Sequence, residues 1–230
     1  MNRLRISVTL LAQLLVFAGC ARAEEPRVIP AAIVDETKPM PGTTEVAVVS
    51  GGCFWGMQGL FEHVKGVREV VAGYSGGSAA SAQYETVSGG ATGHAESVKI
   101  TFDPAAISYG RILRVFLSVA HDPTELNRQG PDSGSQYRSE IFFANPAQEK
   151  IAKTYVAQLG AAHVFNQPIV TRVDRLGGFY AAEGYHQDYL LHNPDSPYIV
   201  NNDLPKIANL KRLYPEFYRD APVRLASAWR

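Results

Sequence analysis

The chain has 230 residues, 46% of them hydrophobic, enough for the core of one sizeable domain. Its 22 basic and 22 acidic residues cancel, which argues against the charged footprint of a nucleic-acid or membrane-surface binder. With two cysteines, a disulfide framework within the domain and a cysteine-based zinc site are excluded.

The chain opens on a targeting pattern. Arg3 and Arg5 precede an apolar run over 6–19 that is too short and interrupted for a stable membrane span. Two exits follow. Ala21-Arg22-Ala23 before Glu24 fits a cleavage site and gives a soluble periplasmic protein. Phe17-Ala18-Gly19-Cys20 is similar to the bacterial lipoprotein box, with Cys20 as a lipid-anchored first residue and Phe17 in place of the usual leucine. On either reading residues 1–23 are an export signal, removed wholly or up to Cys20, and Cys53 is the single thiol left in the mature domain. Residues 24–43, with four prolines and no periodicity, are expected to form an ordering-poor linker ahead of a domain over 44–230.

Val46-Ala47-Val48-Val49 reads as a buried strand, and Cys53, Met57, Leu60, Phe61 and Val64 then recur at helical spacing up to Gly66. Cys53 therefore sits where a strand turns through Gly51-Gly52 into a helix. The first N–H groups of a helix lack internal partners and carry partial positive charge, which stabilises a thiolate and lowers its pKa. A buried structural cysteine is the competing reading. The paired glycines, which let a substrate approach closely, favour a reactive one.

Residues 67–74 read as a strand beside the first, and 75–81 as a flexible rim loop. From His94 the alternation places His94, Glu96, Val98, Ile100 and Phe102 on one face, with Ala95, Ser97, Lys99 and Thr101 on the other. Glu96 thus lies on the apolar face. A desolvated carboxyl there keeps its proton near neutral pH and can donate it, a local conflict of the kind that marks functional sites. A Glu96 reaching solvent or an arginine is the plain alternative. Ser108 caps a helix over 108–120, a strand covers 137–143, and Asn145-Pro146 opens a helix to about 159. A further strand is expected at 169–173 and a helix at 181–191. The order β-α-β-β-α-β gives an α+β single domain, its mixed sheet covered by helices, with a ferredoxin-like (split βαβ) core and a long C-terminal extension. Among the histidines, His94 is the candidate base for a Cys–His pair. His63 reads as a solvated surface residue, and His121 and His186 as satisfied core residues.

Six motifs, taken together, resemble the A class of peptide methionine sulfoxide reductase. They are Gly52-Cys53-Phe54-Trp55-Gly56, Gly73-Tyr74-Ser75-Gly76-Gly77, Thr92-Gly93-His94-Ala95-Glu96, His121-Asp122-Pro123-Thr124, Gly134-Ser135-Gln136-Tyr137-Arg138 and Tyr185-His186-Gln187. The likeness spans about 44–219. It implies an oxidoreductase that reduces methionine S-sulfoxide, free or in proteins, through a cysteine sulfenic acid and so repairs oxidised proteins. It implies Cys53 as nucleophile and Glu96 as the acid that protonates the sulfoxide oxygen. Phe54 and Trp55 would form the wall for the methyl group, Tyr84 and Tyr137 the hydroxyl donors to that oxygen, and Asp132 a supporting polar residue. No metal or organic cofactor is implied. Many family members carry further cysteines near the C-terminus. Here 192–218 has none, and Ser88 stands where the family sometimes has cysteine. The expected reductant is therefore an external, thioredoxin-like thiol partner, and the expected state a monomer. Two other classes remain: a secreted Cys–His hydrolase or acyltransferase dependent on His94, and a binding module for oxidised peptides that tolerates Cys53→Ser.

Overall fold

The computed structural model describes residues 25–36 and 42–225. The export signal, Cys20 and part of the expected linker lie outside the described residues. Among the described residues, no helix is long and apolar enough to cross a membrane.

In chain order, β1 (Glu45–Ser50) leads into α1 (Phe54–Glu62), β2 (Val67–Ser75), a short α2 (Tyr84–Val87) and β3 (Ala95–Phe102). Then come α3 (Tyr109–Val115), the small hairpin of β4 (Arg128–Gln129) and β5 (Asp132–Ser133), β6 (Glu140–Phe143) and α4 (Pro146–Ala161). The C-terminal part adds β7 (Arg172–Arg175), β8 (Phe179–Ala181), α5 (Tyr189–His192) and α6 (Leu204–Leu213). One mixed sheet runs β7-β6-β1-β3-β2-β8, antiparallel throughout except between β6 and β7. The chain is thus α+β, as expected.

β2 does not pair with β1. A helical crossover joins these two strands as parallel neighbours-but-one, and β3 fills the gap antiparallel to both. In β3, Glu96, Val98, Ile100 and Phe102 are buried as the alternation required, while Lys99 and Thr101 are half-exposed. The alternation fails at Ala95 and Ser97, which are also buried because both faces of that end are covered. The Ser97 hydroxyl is satisfied there by Ser50, at 2.7 Å.

The helix caps are as read from sequence. Asn145 Oδ1 accepts from the Gln148 N–H at 2.9 Å, and Ser108 Oγ from the Arg111 N–H at 3.4 Å. The helix begun at Ser108 changes to a π-helical turn over Phe116–Ala120. The expected helix over 181–191 is absent. That stretch holds the end of β8, a single turn at Gly184–His186, and α5 after a left-handed Asp188 (φ 50°). The Gln187 amide explains the break. It accepts from the Ala72 N–H (3.0 Å) and donates to the Ala72 carbonyl (2.8 Å), replacing helical bonds with a clamp on β2.

Residues 25–36, expected to be loose, lie against α3, α4 and the end of α6. Ile29 is buried, its N–H donating to the Tyr214 hydroxyl (3.0 Å) and its carbonyl accepting from Arg114 Nε (2.8 Å). Tyr155 Oη donates to the Pro30 carbonyl at 2.6 Å, and Asp35 accepts from the Gly110 N–H at 2.9 Å. Proline richness left this stretch without periodicity but pre-set an extended strap for these partners. His63 is likewise not solvated: it is buried, stacked on Tyr218 (5.8 Å), with Nδ1 3.0 Å from the Arg219 carbonyl. The C-terminal extension folds back over that helix end, which local periodicity does not reveal.

Candidate active site

The site forms where β1 hands over to α1. Gly52 adopts φ +90°, a conformation that strains any side chain, and a Cβ there would meet Gln129 at 2.8 Å. Its N–H donates to the Tyr137 carbonyl at 3.2 Å, tying the turn to the loop before β6. A Cβ on Gly51 would meet the His121 ring at 2.8 Å. His121 itself is satisfied, between the Phe116 carbonyl (3.0 Å) and Ser139 (2.6 Å), and burial pushes its pKa down to about 4, so it stays neutral.

Cys53 caps α1 and is a buried free cysteine, the whole residue being 9% exposed. Glu96, 3% exposed, reaches across from β3 so that Oε2 accepts the Phe54 N–H at 3.0 Å. The first free N–H of α1 is therefore taken by a carboxyl rather than by the sulfur. Burial raises Glu96 to about 8 even though that N–H bond opposes it. The expected low-pKa thiol is not found. Burial first, then the nearby Glu96 and Asp203 carboxyls, push Cys53 well above the usual thiol range, and the Trp55 N–H only partly offsets them. Helix-end polarity is worth little against full desolvation. At neutral pH the pair rests as thiol and carboxylic acid.

Aromatic rings wall this pair. Phe54 packs on Tyr74 at 5.8 Å, and Trp55 stacks on Tyr189 at 3.8 Å with Tyr198 edge-on at 5.9 Å. The Trp55 indole N–H donates to His186 Nδ1 at 3.1 Å. Tyr84 lies 4.5 Å from the His186 ring. Burial, followed by Glu96, raises the hydroxyls of Tyr84 and Tyr137, keeping both as proton-bearing donors. The Tyr198 hydroxyl donates to Asp132 on β5.

All seven residues singled out from sequence, Cys53, Phe54, Trp55, Tyr84, Glu96, Asp132 and Tyr137, therefore enter one electrostatic and packing unit. His94 does not. Its Nδ1 accepts from the Gly77 N–H (3.2 Å) and its Nε2 bonds the Ser78 carbonyl (2.9 Å), so neither nitrogen serves Cys53. Arg138 fixes the same loop through the Gly93 and His94 carbonyls. Sequence reasoning missed Tyr198 and Asp203, and read His186 as a satisfied core residue. Asp203 is fully buried under Gly56, where a Cβ would fall 1.9 Å from its Oδ1, and pairs with Lys206 at 3.2 Å. The buried i, i+3 Asp–Lys spacing was the only signal for it. Among the described residues, no cluster of three or more His, Cys, Asp or Glu could hold a metal.

A buried thiol beside a protonated carboxyl, enclosed by aromatic rings on an α+β scaffold, equips a thiol-based oxidoreductase. Comparison with known proteins gives the family. The model of the peptide methionine sulfoxide reductase family matches residues 45–216, and the chain belongs to that family. It is 56% identical over 193 residues to peptide methionine sulfoxide reductase MsrA 2 of Mesorhizobium japonicum, covering 84% of this chain and 98% of that one. The Synechocystis protein of the same name is 49% identical, covering 83% and 90%. Among solved structures, reduced Mxr1 of Saccharomyces cerevisiae superposes with a TM-score of 0.60 at 30% identity, covering 72% of this chain and 94% of that one. Methionine sulfoxide reductase A of Corynebacterium diphtheriae gives 0.57 at 34% identity, covering 74% and 83%.

Proposed function

We propose that Cys53 and Glu96 carry out the family's reaction, thiol-dependent reduction of methionine S-sulfoxide to methionine in the repair of oxidised proteins. The observation that carries this is the 3.0 Å bond from the Phe54 N–H to Glu96 Oε2, which brings the acid to the first turn of the helix that Cys53 caps, close enough for the two side chains to interact electrostatically. Glu96 donates its proton to the sulfoxide oxygen, making the substrate sulfur electrophilic. The Cys53 sulfur attacks, its proton passing to the carboxylate just formed, and oxygen moves from substrate sulfur to Cys53. Methionine leaves and Cys53 holds a sulfenic acid. A neutral Glu96 also relieves the repulsion that would otherwise oppose a developing thiolate. Phe54 and Trp55 receive the methyl group, while Tyr84 and Tyr137 donate to the oxygen, with Asp132 and Tyr198 supporting them. The Cys–His hydrolase reading has no support, since both His94 nitrogens are engaged elsewhere.

Return to the thiol needs two electrons. Cys53 is the one free cysteine among the described residues, and we assign the electrons to an external thioredoxin-like dithiol, which would leave as its disulfide with release of water. A thioredoxin lacking its second cysteine should be trapped on Cys53 as a mixed disulfide; recycling with no added thiol would remove this part. We read 1–23 as an export signal leading to the periplasm, with a lipid anchor at Cys20 as the alternative, and the mass of the mature chain separates them. The β6-β1-β3-β2 order, with α1 and α3 as the connecting helices, supports a split βαβ core. The direct test is turnover of a methionine sulfoxide peptide with dithiothreitol, in which Cys53→Ser must be inactive and Glu96→Gln severely slowed.

A further inference from the structure

We propose that His186 is a positioning residue of this pocket: its Nδ1 holds the Trp55 indole in the orientation that makes a wall for the methyl group of the sulfoxide. The proposal rests on the reading of Trp55 as that wall, and it adds a role that the sequence reading, which took His186 for a core residue, did not contain.

An indole N–H can only donate, so the 3.1 Å contact from Trp55 Nε1 requires Nδ1 to be the acceptor. The neutral ring must then carry its proton on Nε2. That atom is buried and has no partner among the described residues. The fold therefore tolerates an unmet donor, which costs free energy when buried, in order to present the other nitrogen to Trp55. The imidazole is 3% exposed and hemmed by Phe54 (5.1 Å), Tyr84 (4.5 Å) and Tyr185 (4.3 Å). Burial lowers its pKa, which favours the accepting form. Tyr189 stacks at 12° on the indole and sets the plane of the ring, and the hydrogen bond sets its rotation within that plane. Neighbours in the same turn hold the other walls. Glu183 accepts from the Tyr74 hydroxyl and the Tyr84 N–H, both at 2.9 Å, and Gln187 clamps Ala72. The turn from 183 to 187 is thus one frame for Tyr74, Tyr84 and Trp55.

The methyl group touches this wall in the ground and transition states alike, so losing the hydrogen bond should act on KM rather than kcat. His186→Leu keeps bulk but removes the acceptor and should raise KM for a methionine sulfoxide peptide about 5- to 10-fold, with kcat within about twofold. His186→Asn, whose amide oxygen can occupy the Nδ1 position, should restore KM to within about twofold. In a Trp229→Phe background Trp55 is the remaining tryptophan. Its emission should be more readily quenched by acrylamide in His186→Leu, and not in His186→Asn. An unchanged KM and quenching in folded His186→Leu, or no rescue by Asn, overturns the proposal. A parent protein that releases no methionine would instead sink the reductase reading, while the quenching comparison would still decide whether His186 holds the indole.

Discussion

Ile29 of the strap and the Cys53–Glu96 pair are all buried, yet the polar groups around them are met differently. Around Ile29 the extended strap is matched group for group: Tyr214, Arg114, Tyr155 and Gln158 each bond its backbone, and the Tyr214 hydroxyl passes on to Ser118 at 3.0 Å. Around Cys53 the polar atoms are desolvated without full satisfaction. Glu96 is raised to about 8 and the thiol above its normal range, while Asp203 Oδ2 and His186 Nε2 are buried without partners among the described residues. One region lowers the free energy of the fold. The strap also carries a raised carboxyl, Glu36 at about 8 through burial and Glu45, but only the other region sets such an acid near the one free cysteine among the described residues, which is the condition for acid-assisted thiol chemistry at neutral pH.

Substitutions can sharpen that contrast. Cys53→Ser should lower kcat/KM by roughly 10⁴-fold or more with an unchanged melting temperature, because among the described residues no second thiol can take the oxygen. Glu96→Gln should lower it about 10²- to 10⁴-fold. The acid form of Glu96 is the active one, so wild-type activity should be full below, and decline through, a pH of about 8, whereas the residual rate of Glu96→Gln should lack that limb. Gly56→Ala drives a methyl into Asp203 and should cost both sides of the comparison: about 1–3 kcal/mol of stability and a measurable part of kcat/KM as the start of α1 shifts. Ile29→Ala should do the reverse of Cys53→Ser, costing about 2 kcal/mol in urea unfolding with kcat/KM unaltered. A kinetic loss there would erase the division between the two regions.

The site was more legible than the fold. Cys53 was visible because a strand pattern, two glycines and a helical pattern meet at it, and Glu96 because it broke the alternation of an apolar strand face; both signals are local in sequence. The thiol's electrostatics were misread because desolvation depends on what packs above it, here Asp203 and the rings of the C-terminal extension, some 150 residues away in sequence. The same long-range packing hid Tyr198, the burial of His63, and the docking of the strap. The neighbours of β2 were also invisible, since strand periodicity gives a face but not a partner. His186 shows the remaining gap: one histidine looks like another until the tautomer demanded by Trp55 is known.

The most direct measurement is mass spectrometry of the protein after one exposure to methionine sulfoxide without reductant. One equivalent of methionine released, with the Cys53 peptide heavier by about 16 Da, is the predicted result, since the oxygen must move to that sulfur. No methionine and an unmodified Cys53 would contradict the pairing of Cys53 with Glu96 as nucleophile and acid.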